Sequence, residues 1–369
     1  MSGDDVPARR ASTRSTIRDV ARLAEVSVGT ASKALGESGK LRPETRARVR
    51  AIAKQIGFRP NDLAHSLHRG QSQTVGVIST DSFGRFTMPI MEGLEACLSE
   101  HRMSVIMCNA TDDPEREARH VETLLGKRVD GIVVTARRAD QRRPLAVDTQ
   151  GLPVLYVFSR TDDPNAFCLV PDDESGARLA TAHLIGLGRR RLAHITGPER
   201  FEAVRLRCTG FTVALQAAAL DANVAPILTG VWSEAWGREA IDRLFASAQP
   251  PDGIFCGNDQ IARGVIDRLR ERGIGVPAAV SVVGFDNWEI IAEATRPQLT
   301  TIDMNLTQLG HEAGRCLIEL IGGAALTGLR RMPCSLVVRE SCGATPASFR
   351  ADGEESGSRK DRDPSLRSG

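Results

Sequence analysis

The residues that most often carry covalent chemistry are all present in this chain, but not at spacings that make a catalyst. His311-Glu312 is followed by Ala-Gly-Arg, so the second histidine of a helical zinc-protease pair is missing. Gly36-Glu-Ser-Gly39-Lys40 has the wrong spacing for a phosphate-cradling loop, and no Gly-x-Ser-x-Gly turn exposes a nucleophile. Cys97, Cys108, Cys168, Cys208, Cys256, Cys316, Cys334 and Cys342 are scattered and form no Cys-x-x-Cys pair. Most lie in apolar runs, which suits reduced core thiols better than metal ligands. No catalytic residue, metal or cofactor is expected.

What remains is recognition chemistry, and charge says where to look. Residues 1–70 hold fourteen Lys/Arg and seven Asp/Glu, a local net of +7. The whole chain is only +2, so the remainder carries −5. A basic first segment on an acidic body points to a polyanion partner for that segment alone.

The elements that must position these groups fall into two kinds. Ile17, Val20, Ala21 and Ala24 recur at helical spacing. Thr16 with Asp19 forms a capping-box pair. Ser27 is placed to cap a second helix, Val28–Leu35. A third runs from about Pro43 to Ile56, with Pro43 in its first turn and Gly57 at its end. Three helices with a tight turn between the first two make a helix-turn-helix. Leu63–His68, capped by Asn61, reads as one further short helix, followed by a polar linker.

From Val75 onward strands and helices alternate. Val75–Ser79, Val105–Cys108, Gly131–Thr135, Val154–Phe158, Leu192–Thr196, Ile254–Cys256, Val280–Phe285 and Leu336–Val338 read as strands. Ile90–His101, Glu115–Gly126, Gly176–Leu187, Ala203–Leu220, Ala235–Ala246 and Gln260–Arg272 read as helices. Alternation of this kind implies parallel sheets covered by helices, and there are too many strands for one small sheet, so two lobes are expected. Ligands in such sheets bind beyond the carboxyl ends of the strands. The expected domains are a disordered tail at 1–15, the helix-turn-helix at 16–60, a hinge helix and linker at 61–74, a two-lobed effector-binding and dimerisation core at 75–343, and a disordered tail at 344–369. At 369 residues, 41% apolar and 25% charged, the chain can bury a sizeable core. It has no apolar run long enough for a transmembrane helix and no secretory leader, so a cytoplasmic location is expected.

Ile17-Arg-Asp-Val-Ala-Arg-Leu-Ala-Glu-Val-Ser27, Gly29-Thr-Ala-Ser32 and Gly57-Phe-Arg-Pro-Asn61 resemble the headpiece of the lactose-repressor (LacI/GalR) family. Pro171-Asp-Asp-Glu-Ser-Gly, Arg207-x-x-Gly-Phe, Gly257-Asn-Asp-Gln and Val283-Gly-Phe-Asp286 are similar to motifs of its core, and Pro297–Asp303 is similar to its last crossover between lobes. The resemblance covers roughly residues 16–340. It implies an all-α helix-turn-helix headpiece with a hinge helix, and a two-lobed core of periplasmic-binding-protein type. It also implies a homodimeric transcription regulator, a repressor, on a palindromic double-stranded DNA operator, controlled by a small-molecule effector between the lobes: a sugar or related metabolite. No membrane partner is implied.

By the same resemblance Val28, Gly29 and Lys33 take base-reading positions. Ser27, Thr30 and Ser32 belong to the same stretch, and the hydroxyls of Thr30 and Ser32 take phosphate-contacting positions. Val28 and Gly29 offer no side-chain hydrogen bond, so only Lys33 can donate to guanine, and direct readout is thin. Ala31 should face the headpiece core. Asn61, His65 and Leu67 take hinge positions. Leu67 is the minor-groove wedge, and a neutral His65 stands where relatives often carry Arg. In the core, Arg207, Asp286, Asn258 and Trp232 take effector positions. A guanidinium and a carboxylate grip hydroxyls, and an indole face covers a ring. Arg207 and Asp286 could instead pair with each other, and Asp259 is expected to cap the following helix. Phe158 stands where relatives end the strand with Asp or Asn, which with Phe83, Arg85 and Phe86 points to a less polar, partly aromatic ligand. Two other classes compete: an exported solute-binding protein, against which the headpiece speaks, and an enzyme on a doubly wound fold, against which the absent motifs speak.

Overall fold

The computed structural model describes residues 15–36, 41–58, 71–81 and 84–344. Asn61, His65, Leu67, the expected hinge helix, Phe83 and both tails lie outside the described residues. The chain divides into two compact units, Met1–Ser72 and Gln73–Gly369.

Among the described residues the first unit holds three helices: α1 (Ile17–Leu23), α2 (Val28–Leu35) and α3 (Pro43–Gln55). Thr16 and Asp19 close the reciprocal capping box on α1, and Ser27 accepts the Thr30 amide to cap α2. Glu25 turns the chain between the two helices with φ of 52°. Val20, Ala21, Ala24, Ala31, Ala34, Val49 and Ala53 form the buried core. Five of these seven are alanine, so the helices approach closely around little apolar volume. Ala31 is fully buried, as expected.

The second unit holds two six-stranded sheets. In the first lobe β1 (Thr74–Ser79), β2 (Ser104–Asn109), β3 (Gly131–Thr135), β5 (Val154–Val157), β7 (Phe167–Pro171) and β13 (Gly328–Met332) line up as β13-β7-β5-β3-β1-β2, all parallel. In the second, β8 (Leu192–Thr196), β9 (Ile227–Thr229), β10 (Gly253–Cys256), β11 (Ser281–Phe285), β12 (Thr300–Asp303) and β14 (Ser335–Val337) line up as β14-β12-β11-β10-β8-β9. Only β14 runs antiparallel, because the chain re-enters this lobe at the carboxyl end of β12, where Ser335 pairs with Asp303. A two-residue ladder joins β4 (Gln141–Arg142) to β6 (Arg160–Thr161).

Helices cover the sheets: α4 (Thr87–Glu100), α5 (Pro114–Gly126) and α11 (Leu306–Ile321) in the first lobe, and α6 (Asp173–Gly186), α7 (Glu202–Ala217), α8 (Glu234–Leu244), α9 (Asp259–Glu271) and the single turn α10 (Glu289–Ala292) in the second. One apolar cluster runs through both lobes, from Val77, Leu94 and Leu169 to Phe211, Phe255 and Phe285. Gly93 on α4 and Gly310 on α11 let these helices touch. A Cβ on Gly93 would meet the Thr307 carbonyl oxygen at 1.8 Å, and one on Gly310 the Ile90 carbonyl oxygen at 2.0 Å.

Three short passages, after β7, after β12 and after β13, carry the chain between lobes. Pro297–Asp303 is therefore not the last crossover. Its second half is strand β12, the second passage follows at Met304-Asn305, and the last is Pro333-Cys334. Asn305 fastens the two together, donating to the Pro333 carbonyl at 3.0 Å and bonding the Ser335 hydroxyl at 3.0 Å.

Candidate DNA interface and effector cleft

On α2 the side chains separate cleanly. Ala31 and Ala34 are buried, while Val28 is 45% exposed and Lys33 is exposed without an ion-pair partner among the described residues. The Thr30 hydroxyl lies 2.9 Å from that of Ser27, so the cap and one of the two expected phosphate donors form a hydroxyl pair at the start of the helix. Ser32 is half-buried beside them. Gly29 is exposed, and a Cβ there would meet nothing nearer than the Ser27 hydroxyl at 3.9 Å. Packing within the chain gives no reason for glycine at this position.

In the core, Arg207, Trp232, Asn258, Asp286 and Phe158 all line a single cleft of about 320 Å³ between the lobes. Arg207 comes from α7. It donates from Nε at 2.8 Å and from Nη2 at 2.7 Å to Asp173 Oδ1, bonds the Gly257 carbonyl, and lies 3.6 Å over the Phe285 ring. Its distance to Asp286 is 3.8 Å. Asp286 follows β11 with φ of 108° and pairs mainly with Arg85 of the first lobe. Arg207 and Asp286 are therefore neighbours, but each has another principal partner. The Arg85 guanidinium lies 4.2 Å over Trp288 and 4.8 Å over Phe86.

Phe158 leaves β5 with φ of 52°, which ends the strand at Val157 and turns the ring onto Phe86, 5.0 Å between centroids. Trp232 packs its indole on the Gly197 backbone, where a Cβ would fall 2.2 Å from the ring. Asn258, not Asp259, caps α9: its Oδ1 accepts the Ile261 amide at 2.8 Å. Asp259 sits one residue inside the helix. It accepts from the Trp288 amide at 2.7 Å and the Thr301 hydroxyl at 2.5 Å. Trp236 is a core residue whose Nε1 donates to the Thr196 carbonyl at 3.0 Å.

Residues 16–61 match the bacterial regulatory proteins of the lacI family, and residues 181–342 match the periplasmic binding protein-like domain. The HTH-type transcriptional repressor PurR of Haemophilus influenzae (strain PittEE) is 33% identical over 317 residues, spanning 83% of this chain and 91% of the relative. This chain belongs to the lacI family. The ribose operon repressor of Escherichia coli (strain K12) is 32% identical over 307 residues, 83% of this chain and 93% of the relative. Among solved structures, the lac repressor dimer bound to operator and the anti-inducer ONPF matches with a TM-score of 0.74 at 26% identity, covering 90% of this chain and all of that one. The CelR–cellobiose complex matches with a TM-score of 0.62 at 27% identity, covering 89% and 100%.

This lacI-family cleft differs in charge from what the motifs alone implied. Asp173, Arg137, Arg138, Asp140 and Phe201 line it too, and sequence reasoning did not assign them. Asp173 was in view within Pro171-Asp-Asp-Glu, but the motif does not say that it is Arg207's carboxylate. Burial pushes the Asp286 carboxyl up, and Arg85 and Arg207 oppose that push. Burial and then the Asp286 charge raise Asp259 to about 8. Two adjacent buried carboxyls resist ionising together, so the proton of one and the Arg85 charge both support the fold.

Burial also lowers His194 to about 4. Its Nδ1–H bonds the Phe255 carbonyl at 2.9 Å, and its ring stacks on Phe255 at 4.4 Å. All eight cysteines are free thiols, five of them buried.

Proposed function

We propose that this chain is a transcriptional repressor that binds a palindromic operator as a homodimer and is controlled by a small molecule held between the lobes of its core, a sugar or related metabolite with a ring. The observation that carries the reading is convergence. Arg207, Trp232, Asn258, Asp286 and Phe158 come from five separate segments and line one cleft of about 320 Å³. Four aromatic walls, Phe86, Phe158, Phe201 and Trp232, offer ring faces, while Asn258 and the Arg207–Asp286 neighbourhood offer hydrogen bonds.

On the DNA side, α2 enters the major groove with Val28, Gly29 and Lys33 toward the bases and Thr30 and Ser32 toward phosphates, Ser27 capping the helix beside them. Lys33 is the one strong base donor. Leu67 and its twin wedge into a central step, and Asn61 and His65 support them, so operator deformability carries part of the specificity. Effector and DNA are coupled by about 1–3 kcal/mol. No helix among the described residues is long and apolar enough to cross a membrane. The relatives are transcriptional repressors, and the reading is of a cytoplasmic regulator without catalysis.

The test is selection of binding sites from random duplex DNA, followed by salt-dependent titration with and without a metabolite panel. The reading requires a selected palindrome, a steep salt dependence, and a metabolite effect that Arg207→Ala abolishes. Binding without sequence preference would overturn it. Leu67→Ala should weaken operator binding far more than binding to random DNA.

A further inference from the structure

A second cavity, of about 450 Å³, lies wholly within the first lobe. It opens at the carboxyl ends of that lobe's strands: Thr80 follows β1, Ala136 follows β3, and Ser159 follows β5. In the strand order β13-β7-β5-β3-β1-β2, β2 lies on one side of β1 and β3 on the other. The connections diverge between β1 and β3, and the crevice at such a divergence is where parallel sheets hold ligands. The effector cleft takes the lobe-facing side of these strand ends, while this cavity takes the side under α5.

Its walls have a definite chemistry. Ala118, Val121, Leu145 and Val147 make an apolar floor. Ser159 is fully buried, and its hydroxyl has no hydrogen-bond partner among the described residues. Of the acids, Glu117 is taken by Arg142, Asp113 caps α5, and Asp140 is taken by Arg138 and the Glu202 amide. Among the described residues Arg137 and Arg143 have no carboxylate partner, and they face only Asp112 as an unpaired acid. An apolar floor, one unused buried hydroxyl and a surplus guanidinium fit one kind of guest.

We infer that this cavity is a second ligand site, for a small organic acid with a compact apolar body. The acidic oxygens meet Arg143 and Arg137, and the body rests on Val121 and Leu145. The wall between the two cavities is the segment Arg137–Asp140, whose Arg137, Arg138 and Asp140 line both. Asp140 also accepts the Glu202 amide of the second lobe at 2.7 Å. A guest here therefore presses on the effector cleft and on a tie between the lobes.

The test is ligand-observed saturation-transfer NMR on the full chain, with benzoate and phenyl phosphate as acidic probes and benzyl alcohol as their neutral counterpart. Both acids, or whichever of carboxylate and phosphate the site prefers, should bind, and benzyl alcohol about ten-fold or more weakly. Arg143→Glu, a surface change, should weaken the acid by a similar factor, and Ala118→Phe should fill the cavity and abolish binding. Trp232→Ala, in the effector cleft, should leave the signal intact. Equal binding of acid and alcohol, loss through Trp232→Ala rather than Arg143→Glu, or no transfer from either acid at millimolar concentration would each overturn the inference. Loss through Trp232→Ala would place the acids in the cleft between the lobes, and the other outcomes do not bear on that cleft.

Discussion

Arg85 and Asp286 stand 201 positions apart in the chain and meet as an ion pair across the cleft, one from each lobe. Both side chains are mostly buried, and Trp288 and Phe86 flank the guanidinium. Without Arg85, Asp286 keeps Arg207 at 3.8 Å as its ion-pair partner, with the Asp259 carboxyl close enough to repel it. Removing one partner of a buried pair leaves the other charge uncompensated. Arg85→Gln should lower core stability by about 1–3 kcal/mol, read as a lower urea midpoint. An unchanged midpoint would mean that the pair is incidental.

Gly29 separates folding from DNA binding. Nothing in the chain crowds its missing Cβ, so Gly29→Ala should raise headpiece stability by about 0.5–1 kcal/mol through helix propensity. If the helix backbone approaches the groove at this point, the same change weakens operator binding. Thermal melting and operator titration of one variant should thus move in opposite directions. A stabilised headpiece with unchanged affinity would rule out close approach at residue 29.

Lys33 is exposed and unpaired among the described residues, so its removal should leave the fold alone. Lys33→Ala should cost about 1–3 kcal/mol of operator affinity and relax preference at one base pair. Repeating the site selection with the variant checks this. A uniform loss across all sequences would instead assign Lys33 to a phosphate.

Asp259 gives a pH dependence of defined sign. Its carboxyl is raised from 3.8 to about 8 in the folded chain. Between those values the folded state holds a proton that the unfolded state has lost, so this group's contribution to stability falls as pH rises through the window. Asp259→Asn keeps an acceptor for the Trp288 amide and reverses the Thr301 bond, its Nδ2 donating to the hydroxyl oxygen, with no charge to bury. The variant should gain stability over the parent as pH rises from 5 to 8, measured by urea denaturation at each pH. Parallel profiles for the two proteins would refute the assignment.

His194 works in the other direction. Its folded value of about 4 lies below the ordinary 6.5, so within that window the unfolded chain binds the extra proton. The contribution is complete above pH 6.5 and is lost as pH falls toward 4, by an amount of order 3 kcal/mol. His194→Phe keeps the stack on Phe255 and removes the titration. Its acid limb should be shallower than the parent's, though not flat, because burial also lowers His183.

Much of the headpiece was legible in the residues themselves. Thr16 with Asp19 and Ser27 with Thr30 are bonds between positions three apart, made inside one helical turn wherever the rest of the chain lies. Alternating strands and helices likewise gave the class of the core, since a strand or helix announces itself within a few residues. α11 carries the same local signal in Leu306, Leu309, Ala313 and Leu317. Edge strands β9 and β13 were not, because their half-exposed residues carry no sustained apolar run.

The cleft shows the boundary most plainly. Sequence alone placed Arg207, Trp232, Asn258 and Asp286 in motifs similar to those of the family's core, and pointed to Asp259 as the cap of a helix. Tertiary structure decided that Asn258 is the cap, that Arg207 takes Asp173, and that Arg85 crosses the lobes to Asp286. The physical reason is range. Caps and periodicity are energies of neighbours in the chain, whereas partner choice in a buried charge cluster depends on which groups three interlobe passages and two parallel sheets bring within about 4 Å.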